Sequence, residues 1–150
     1  MSANRILEQS PIHLLHRALQ CAEEIFETEL ARVGVTARQY AVLNAVAAAE
    51  GASQTHLVDA TGIDRSTLAD IVRRLTRKGL LQRRRTREDA RAYAVRLTEQ
   101  GRRLLADAGP AARLVDERVL EVLPQRDRKY FMASLTAIVA RLAAKAGQSR

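Results

Sequence analysis

The fold of this chain is decided by residues 62–84, GIDRSTLADIVRRLTRKGLLQRR. Gly62 permits a tight turn and Asp64 is a strong helix N-cap, so a helix begins directly after the turn. The apolar side chains of that helix recur on one face, at Leu68, Ile71, Val72 and Leu75. The helix ends at Gly79. Because so short a turn joins it to the helix before it, the segment predicts a helix-turn-helix.

Two shorter helices are predicted upstream of the turn. Thr36 and Gln39 form a capping box for the first of them, which runs to about Ala49. The inward positions of that helix are predicted to be Tyr40, Leu43, Val46 and Ala47. Ser53 caps the second, from Gln54 to about Ala60, which is then the first helix of the helix-turn-helix.

Downstream of Gly79 the hydrophobic period changes from helical to alternating. Residues 80–85 and 92–97 each suit a short β-strand. The apolar residues of the second strand alternate, at Tyr93, Val95 and Leu97. Residues 86–91 between the strands form a charged hairpin loop. A helix-turn-helix followed at once by a β-hairpin is the winged-helix arrangement, and the hairpin is its wing.

An amphipathic helix precedes this middle segment. Ser10 caps it, Pro11 occupies its first position, and Gly34 ends it. Its apolar residues recur at steps of three and four, at Ile12, Leu15, Leu19, Ala22, Phe26 and Leu30.

Two further amphipathic helices follow the wing. Thr98 caps the first, in which Gly109 and Pro110 predict a kink or a break, and Pro124 opens the second. The inward residues of the first are predicted to be Leu104, Leu105, Ala108, Ala112, Val115, Val119 and Val122. Those of the second are Phe131, Leu135, Ile138 and Leu142.

The chain is therefore predicted to be mainly α-helical, with three segments. Residues 1–35 and 99–150 form a dimerisation region, and residues 36–98 form a winged helix-turn-helix. Amphipathic helices without a partner sheet bury their stripes poorly alone, so we expect a homodimer.

The positive charge of the chain is concentrated in its middle. The formal net charge is +8, and residues 65–103 hold thirteen basic and four acidic residues. Of the 25 basic residues, 22 are Arg, which favours forked contacts with phosphate or guanine. The expected partner is a polyanion such as double-stranded DNA.

Several other classes of protein are disfavoured. No stretch approaches the ~20 apolar residues of a membrane helix, and no secretory signal precedes the first helix. The single cysteine, Cys21, leaves no internal disulfide, so a cytoplasmic setting is expected. No phosphate-cradling Gly loop, no Walker lysine and no nucleophile near a His and an acid is recognisable. We expect neither an enzyme nor a cofactor.

Three stretches of the chain follow one another in the order of a known family: residues 33–43 (VGVTARQYAVL), 62–84 and 87–101 (REDARAYAVRLTEQG). On these stretches the chain resembles the MarR family of transcriptional regulators. The resemblance covers nearly the whole chain. It implies a homodimer with one winged helix-turn-helix per subunit and a dimer interface made by the terminal helices. It also implies a repressor that binds a pseudo-palindromic operator and releases it when a small molecule, such as an aromatic acid, binds or a thiol is oxidised.

The resemblance also assigns DNA contacts. The family's wing motif Asp-x-Arg falls on Asp89 and Arg91, and there the acid orients an arginine that enters the minor groove. Arg73 and Arg74 are candidates to read guanine, whereas Arg77 is a better candidate for phosphate. The residues predicted to bind DNA are polar or basic: Gln54, Thr55, Arg65, Ser66, Thr67, Asp70, Arg73, Arg74, Arg77, Arg83, Arg84, Arg85, Arg87, Asp89 and Arg91.

The sequence says less about what such a regulator would sense, and three alternatives stay open: oxidation of a thiol, a metal ion or a small-molecule effector. Cys21 stands beside Glu23 and Glu24, which disfavour a thiolate, so a buried structural cysteine is preferred to a redox switch. Two histidines at i, i+3 do not make a metal site, so no metal is predicted. The candidate effector residues are His13, His16, Arg17, Tyr40 and Asn44. His16 and Asn44 lie on apolar faces, where either an internal hydrogen bond or a ligand would satisfy them.

A different function is also compatible with the charge pattern. The excess of phosphate-type arginines over base-reading Asn and Gln is typical of a sequence-independent architectural DNA-binding protein.

Overall fold

The computed structural model of the protein describes residues 3–87 and 93–148. Over these residues the chain forms seven helices and three strands. The helices are α1 (Ala3–Glu8), α2 (Pro11–Glu29), α3 (Ala37–Ala48), α4 (Gln54–Thr61), α5 (Arg65–Arg77), α6 (Glu99–Glu121) and α7 (Gln125–Gln148). The strands are β1 (Ala52–Ser53), β2 (Leu81–Arg85) and β3 (Tyr93–Leu97). The mainly α-helical winged-helix prediction is confirmed, with α1 and β1 as elements that it missed.

The predicted N-caps are made by side-chain hydrogen bonds to the backbone three residues on. Ser10 accepts from the His13 N–H of α2, and Ser53 accepts from the third residue of α4. At α3 both halves of the capping box are present, each 3.2 Å long, between Thr36 and Gln39. Local sequence therefore sets these three helix starts correctly.

The strands form one antiparallel sheet in the order β1-β3-β2. The hairpin register pairs Leu81 with Leu97 and Arg85 with Tyr93. β1 covers the other edge of β3, with Ala52 opposite Val95. β1 has only two residues, which are too few to show the alternation of apolar and polar residues that identifies a strand in a sequence.

The larger hydrophobic core lies inside the winged helix. Its fully buried side chains come from α3, α4, α5 and the sheet: Val42, Leu43, Val46, Leu57, Leu68, Val72, Leu75 and Val95. The inward predictions for Leu43 and Val46 are confirmed. Ala47 is exposed, which corrects its prediction, and Val42 is buried instead. Val42 is buried because α4, α5 and β3 all contact α3 and cover a wider face than one helical stripe.

A second core cluster joins α2 to α6. It contains Phe26, Leu30, Ala108 and Val115. The N-terminal half of the predicted α2 stripe is not buried in the single chain: Ile12 is 80% exposed, and Leu15 and Leu19 are also exposed. The apolar residues of α2 do lie on one face, but α6 covers that face only near the C-terminal end of α2.

Pro110 does not break the helix that contains it. α6 runs without interruption from Glu99 to Glu121, so the predicted break is wrong. Pro110 removes one backbone hydrogen bond. Ala108 before it and Val115 after it are both buried in the core cluster that contains Phe26 and Leu30.

The chain divides into two compact units, one ending at Val115 and one beginning at Asp116. In the second unit, Arg128 donates hydrogen bonds to the backbone oxygens of Leu123 and Glu121, which close the turn before α7. None of the six residues predicted to face inward in this unit is fully buried in the single chain: Val119, Phe131 and Leu135 are half-buried, and Val122, Ile138 and Leu142 are exposed. None of the helices in the described ranges is both long and apolar enough to cross a membrane.

Candidate nucleic-acid interface

The turn before α5 has the predicted geometry. Gly62 adopts φ +69°, in the left-handed region, and its N–H closes α4 on the Val58 oxygen at 2.8 Å. Asp64 then accepts hydrogen bonds from the Thr67 N–H at 2.9 Å and the Ser66 hydroxyl at 2.8 Å. Bonds from the Thr67 side chain and backbone, followed by the Ser66 bond, lower the pKa of Asp64 from 3.8 to about 2. α5 therefore starts at a fixed place and angle.

One face of α5 anchors it and the opposite face is exposed. The four predicted apolar residues, Leu68, Ile71, Val72 and Leu75, are all buried. The exposed side chains of the other face are Arg65, Ser66, Arg73, Arg74 and Arg77. Thr67 is half-buried, between the two faces. The helix thus presents arginines to solvent from a backbone that cannot rotate without unburying its apolar stripe.

Asp70 links two of these arginines. Its Oδ1 accepts from Arg73, and its Oδ2 accepts from the Arg74 Nε at 2.7 Å. Desolvation raises the pKa of Asp70, but the charges and hydrogen bonds of Arg74 and then Arg73 outweigh it, so the pKa is lowered from 3.8. The carboxylate is therefore ionised throughout the neutral range.

The start of α4 lies beside the start of α5. Both terminal nitrogens of Arg65 donate to the Thr55 Oγ1 at 3.3 Å. Gln54, next to Thr55, is half-buried. The structure thus brings together predicted site residues that are ten positions apart in the sequence.

The wing carries arginines on both faces of its hairpin. Arg83 and Arg85 share the face of Leu81, and their guanidinium carbons each lie 5.9 Å from the centre of the Tyr93 ring, in cation–π contact. Arg84 is on the opposite face, paired across the strands with Ala94. The alternation of strand side chains causes this division.

The structure describes one of the three remaining predicted wing residues. Arg87 is exposed just beyond β2. Asp89 and Arg91, the predicted minor-groove pair, lie outside the described residues.

A basic concavity at the end of α5 was missed by the sequence interpretation. It has a volume of about 540 Å³ and is lined by Gln39, Arg74, Arg77 and Lys78. The Lys78 Nζ donates to the Gly34 oxygen at 2.6 Å, which ties the end of α5 to the loop before α3. The only signal in the sequence was a lysine at the C-cap of α5, before Gly79, and no local pattern identifies a partner 44 residues away.

The predicted effector residues do not converge in the single chain. His16 and Asn44, expected on inward faces, are both exposed, and His13 is half-buried. Asn44 donates to the Tyr40 backbone oxygen at 2.9 Å, and the Tyr40 ring packs on Phe26 with ring centres 5.6 Å apart. Asn44 therefore has an internal hydrogen bond.

Two other predicted features are also at the surface. Arg17 is exposed and donates to Gln20 at 3.3 Å. Cys21 is exposed, contrary to the preferred buried cysteine. Among the described side chains there is no group of three or more His, Cys, Asp or Glu that could hold a metal ion.

A cleft of about 500 Å³ lies elsewhere in the first unit, between α2, α3 and the turn that precedes α5. Its lining includes Leu19 and Glu23 from α2, Arg38 and Ala41 from α3, and residues 61–64 of the turn. None of the predicted effector residues lines it. Three separate segments assemble the cleft, so no single stretch of sequence could reveal it.

Comparison with known proteins identifies the family. Residues 33–92 match the MarR family model. The chain is similar to the transcriptional regulator HosA of Escherichia coli, with 32% identity over 124 residues that cover 79% of this chain and 92% of HosA.

Solved structures agree with this match. The PcaV transcriptional regulator of Streptomyces coelicolor, in complex with its natural ligand, superposes with a TM-score of 0.83 and 32% identity, over 89% of this chain and 94% of PcaV. BpsR of Bordetella bronchiseptica, whose DNA binding is regulated by 6-hydroxynicotinic acid, superposes with a TM-score of 0.82 and 29% identity, over 87% and 94% of the two chains.

These matches confirm the resemblance and the expectation that the protein is not an enzyme, since MarR-type regulators are non-enzymatic DNA-binding proteins. With its winged-helix fold and an arginine-rich exposed face on α5, this chain belongs to the MarR family of transcriptional regulators.

Proposed function

We propose that this protein is a homodimeric repressor that binds a pseudo-palindromic operator and releases it when a small organic acid binds. The observation that carries the proposal is the exposed basic face of α5, held in place by a fully buried opposite face. A helix of this kind fits the major groove, where a guanidinium recognises guanine with two parallel hydrogen bonds.

The DNA contacts divide by type. Arg73 and Arg74 are proposed to reach base edges, because they lie in the middle of the exposed face of α5. Arg77 and the arginines of β2 are proposed to contact phosphate, which sets register and affinity but not sequence. The family resemblance adds Asp89 and Arg91 as the pair that places an arginine in the minor groove.

Exposed apolar side chains of the terminal helices support the homodimer. In the first unit they are Ile6, Leu7, Ile12, Leu14, Leu15, Leu19 and Leu114. In the second they are Val122, Tyr130, Met132, Ile138, Val139 and Leu142. Large exposed apolar surfaces mark interaction sites, and a second copy of the chain would bury them and duplicate α5 by two-fold symmetry.

The cleft between α2, α3 and the turn before α5 is the proposed effector site. Its volume of about 500 Å³ suits a small ligand. Arg38 would hold a carboxylate, and Leu19 and Ala41 would contact an apolar ring. Because Gly62 and Asp64 line the same cleft, an occupant would contact the turn that sets the angle of α5. PcaV, solved with its natural ligand, and BpsR, whose DNA binding is regulated by 6-hydroxynicotinic acid, support by similarity a small-molecule effector for this protein.

Footprinting on genomic fragments selected by the protein tests the operator. We expect two protected half-sites about 10–10.5 base pairs apart, or a multiple of that spacing, because the α5 helices of a dimer enter successive major grooves. Sedimentation of the same sample should give a dimer. A monomer, or protection without two-fold symmetry, would refute the proposal.

A competition assay separates the repressor from an architectural DNA-binding protein. A regulator should prefer the selected site over unrelated DNA by about 10³-fold or more. Equal competition by both duplexes would support sequence-independent binding instead.

The effector site is tested by thermal shift with phenolic acids and 6-hydroxynicotinic acid, followed by release of DNA. A stabilising acid should lose its effect in Arg38→Ala and keep it in Arg17→Ala, the matched control on α2. If Arg17→Ala abolishes the effect and Arg38→Ala does not, the effector binds at the residues predicted from the sequence instead. Stabilisation by peroxide alone, abolished by Cys21→Ser, would instead indicate a redox sensor.

A further inference from the structure

One acidic residue, Asp70, lies among the four arginines of α5. Each of its carboxylate oxygens accepts a hydrogen bond from a different arginine, Oδ1 from the Arg73 Nη2 and Oδ2 from the Arg74 Nε. The spacings are i, i+3 and i, i+4, so all three side chains lie on neighbouring turns of one face. The acid is therefore engaged by the two arginines that the proposed function assigns to base contacts.

Folding stability does not account for this arrangement. The side chains of Asp70, Arg73 and Arg74 are 36%, 60% and 61% exposed, and ion pairs at this exposure contribute little to stability. For binding a polyanion, an acid at this position is unfavourable, because it cancels one of two positive charges and repels phosphate oxygens. If α5 meets DNA as proposed, an acid at this position would lower the affinity for non-specific DNA.

The ion pairs use different atoms of the two arginines. Arg73 gives one hydrogen of its Nη2 to Asp70 and keeps its Nη1, its Nε and the second Nη2 hydrogen as donors for a base. An arginine has five N–H donors in a planar fork. Because Asp70 engages the Nε of Arg74, both terminal nitrogens of that guanidinium remain for the O6 and N7 atoms of a guanine. Asp70 holds the rest of each side chain near the helix, so a long lateral reach toward the phosphate backbone would break the ion pair.

We propose that Asp70 is a positioning residue for sequence specificity, which keeps Arg73 and Arg74 directed at base edges and away from phosphates. This inference rests on the proposed function, in which α5 occupies the major groove. Its consequence is weak binding to unrelated DNA, where the two arginines would otherwise provide sequence-independent contacts.

The test compares Asp70→Asn with Glu99→Gln. Glu99 is a matched control because it is also an exposed acid in an i, i+4 ion pair, with Arg103 at 3.3 Å, but lies on α6. Both variants remove one negative charge and keep the side-chain size. Binding to the selected operator and to a scrambled duplex is measured by fluorescence anisotropy between about 50 and 200 mM salt.

For Asp70→Asn we expect affinity for the scrambled duplex to rise roughly tenfold, while affinity for the operator changes much less. The salt slope on the scrambled duplex should steepen by about 0.9 for each new phosphate contact. The melting temperature should stay unchanged. Glu99→Gln should leave the ratio of the two affinities as it is in the wild type.

Three results would overturn the inference. An unchanged affinity ratio in Asp70→Asn excludes a role in specificity. Loss of operator affinity with no gain on scrambled DNA means that Asp70 contacts a base directly. An effect of Asp70→Asn that persists when Arg73 and Arg74 are both Ala means that it does not act through them. If the wild type itself fails to discriminate between the duplexes, the proposed function fails instead.

Discussion

Replacing Gly101 with Ala will destabilise this protein, although the same change stabilises most helices. Gly101 lies in the first turn of α6 and is buried. A Cβ added there would lie 2.2 Å from the Leu80 backbone oxygen and 3.2 Å from the Leu97 Cδ2. Leu80 cannot move away easily, because its oxygen accepts from the Thr98 N–H at 3.1 Å.

The magnitude follows from two opposing contributions. Ala gains about 1 kcal/mol over Gly in helix propensity. Overpacking costs about 1–3 kcal/mol, and the upper end applies because the obstacle is a hydrogen-bonded backbone carbonyl. The net loss of unfolding free energy is about 2 kcal/mol. For a chain of 150 residues, this lowers the melting temperature by about 4–8 °C.

The assay is thermal unfolding followed by circular dichroism at one fixed protein concentration. Gly109→Ala is the matched control in the same helix, since its Cβ would contact only the end of Arg113, at 3.6 Å. Its gain should stay below ~1 kcal/mol, because a residue before a proline is restricted. The reasoning is refuted if Gly101→Ala melts at or above the wild type, or if both variants lose the same stability.

Two further predictions concern the wing and the cap of α5. Arg91→Ala should weaken operator binding strongly and leave dimerisation and the melting temperature nearly unchanged; loss of stability in that variant would contradict the wing assignment. Asp64 has a folded pKa of about 2, below its ordinary 3.8, so its contribution to stability is complete above pH 3.8 and is lost as the pH falls through about 2. Acid unfolding of Asp64→Asn, which keeps an N-cap without the charge, should therefore depend less on pH between about 4 and 2, and an unchanged acid transition would contradict this.

Several features were predictable because the interactions that cause them span only a few residues. The caps at Thr36, Ser53 and Asp64 each use a hydrogen bond to a residue three positions on. The buried face of α5 follows from helical periodicity, and Leu68 and Leu75 are fully buried as expected. The arginine excess of residues 65–103 was visible for the same reason, since charge composition needs no tertiary contact.

Burial of the terminal helices was predicted less well. The stripe on α2 is correct as a pattern, but in the single chain only Phe26 and Leu30 are buried in the α6 contact. Periodicity identifies an apolar face without identifying what covers it. Of the kink or break predicted at Gly109 and Pro110, the break does not occur. A local rule on helix breaking takes no account of the packing of Ala108 and Val115 on the two sides of Pro110.

The amino-acid sequence by itself determined the order of the longer helices and of the two hairpin strands, the basic character of the middle segment and the family, because short-range bonds and periodic patterns encode them. It did not reveal the short elements α1 and β1. Only the tertiary structure placed Lys78 on the Gly34 oxygen, Leu80 against Gly101, and Arg38 in the same cleft as Gly62. These pairs are about 20 to 45 residues apart in the chain or belong to separate elements. Their contacts depend on how whole helices pack, and no local pattern of residues carries that information.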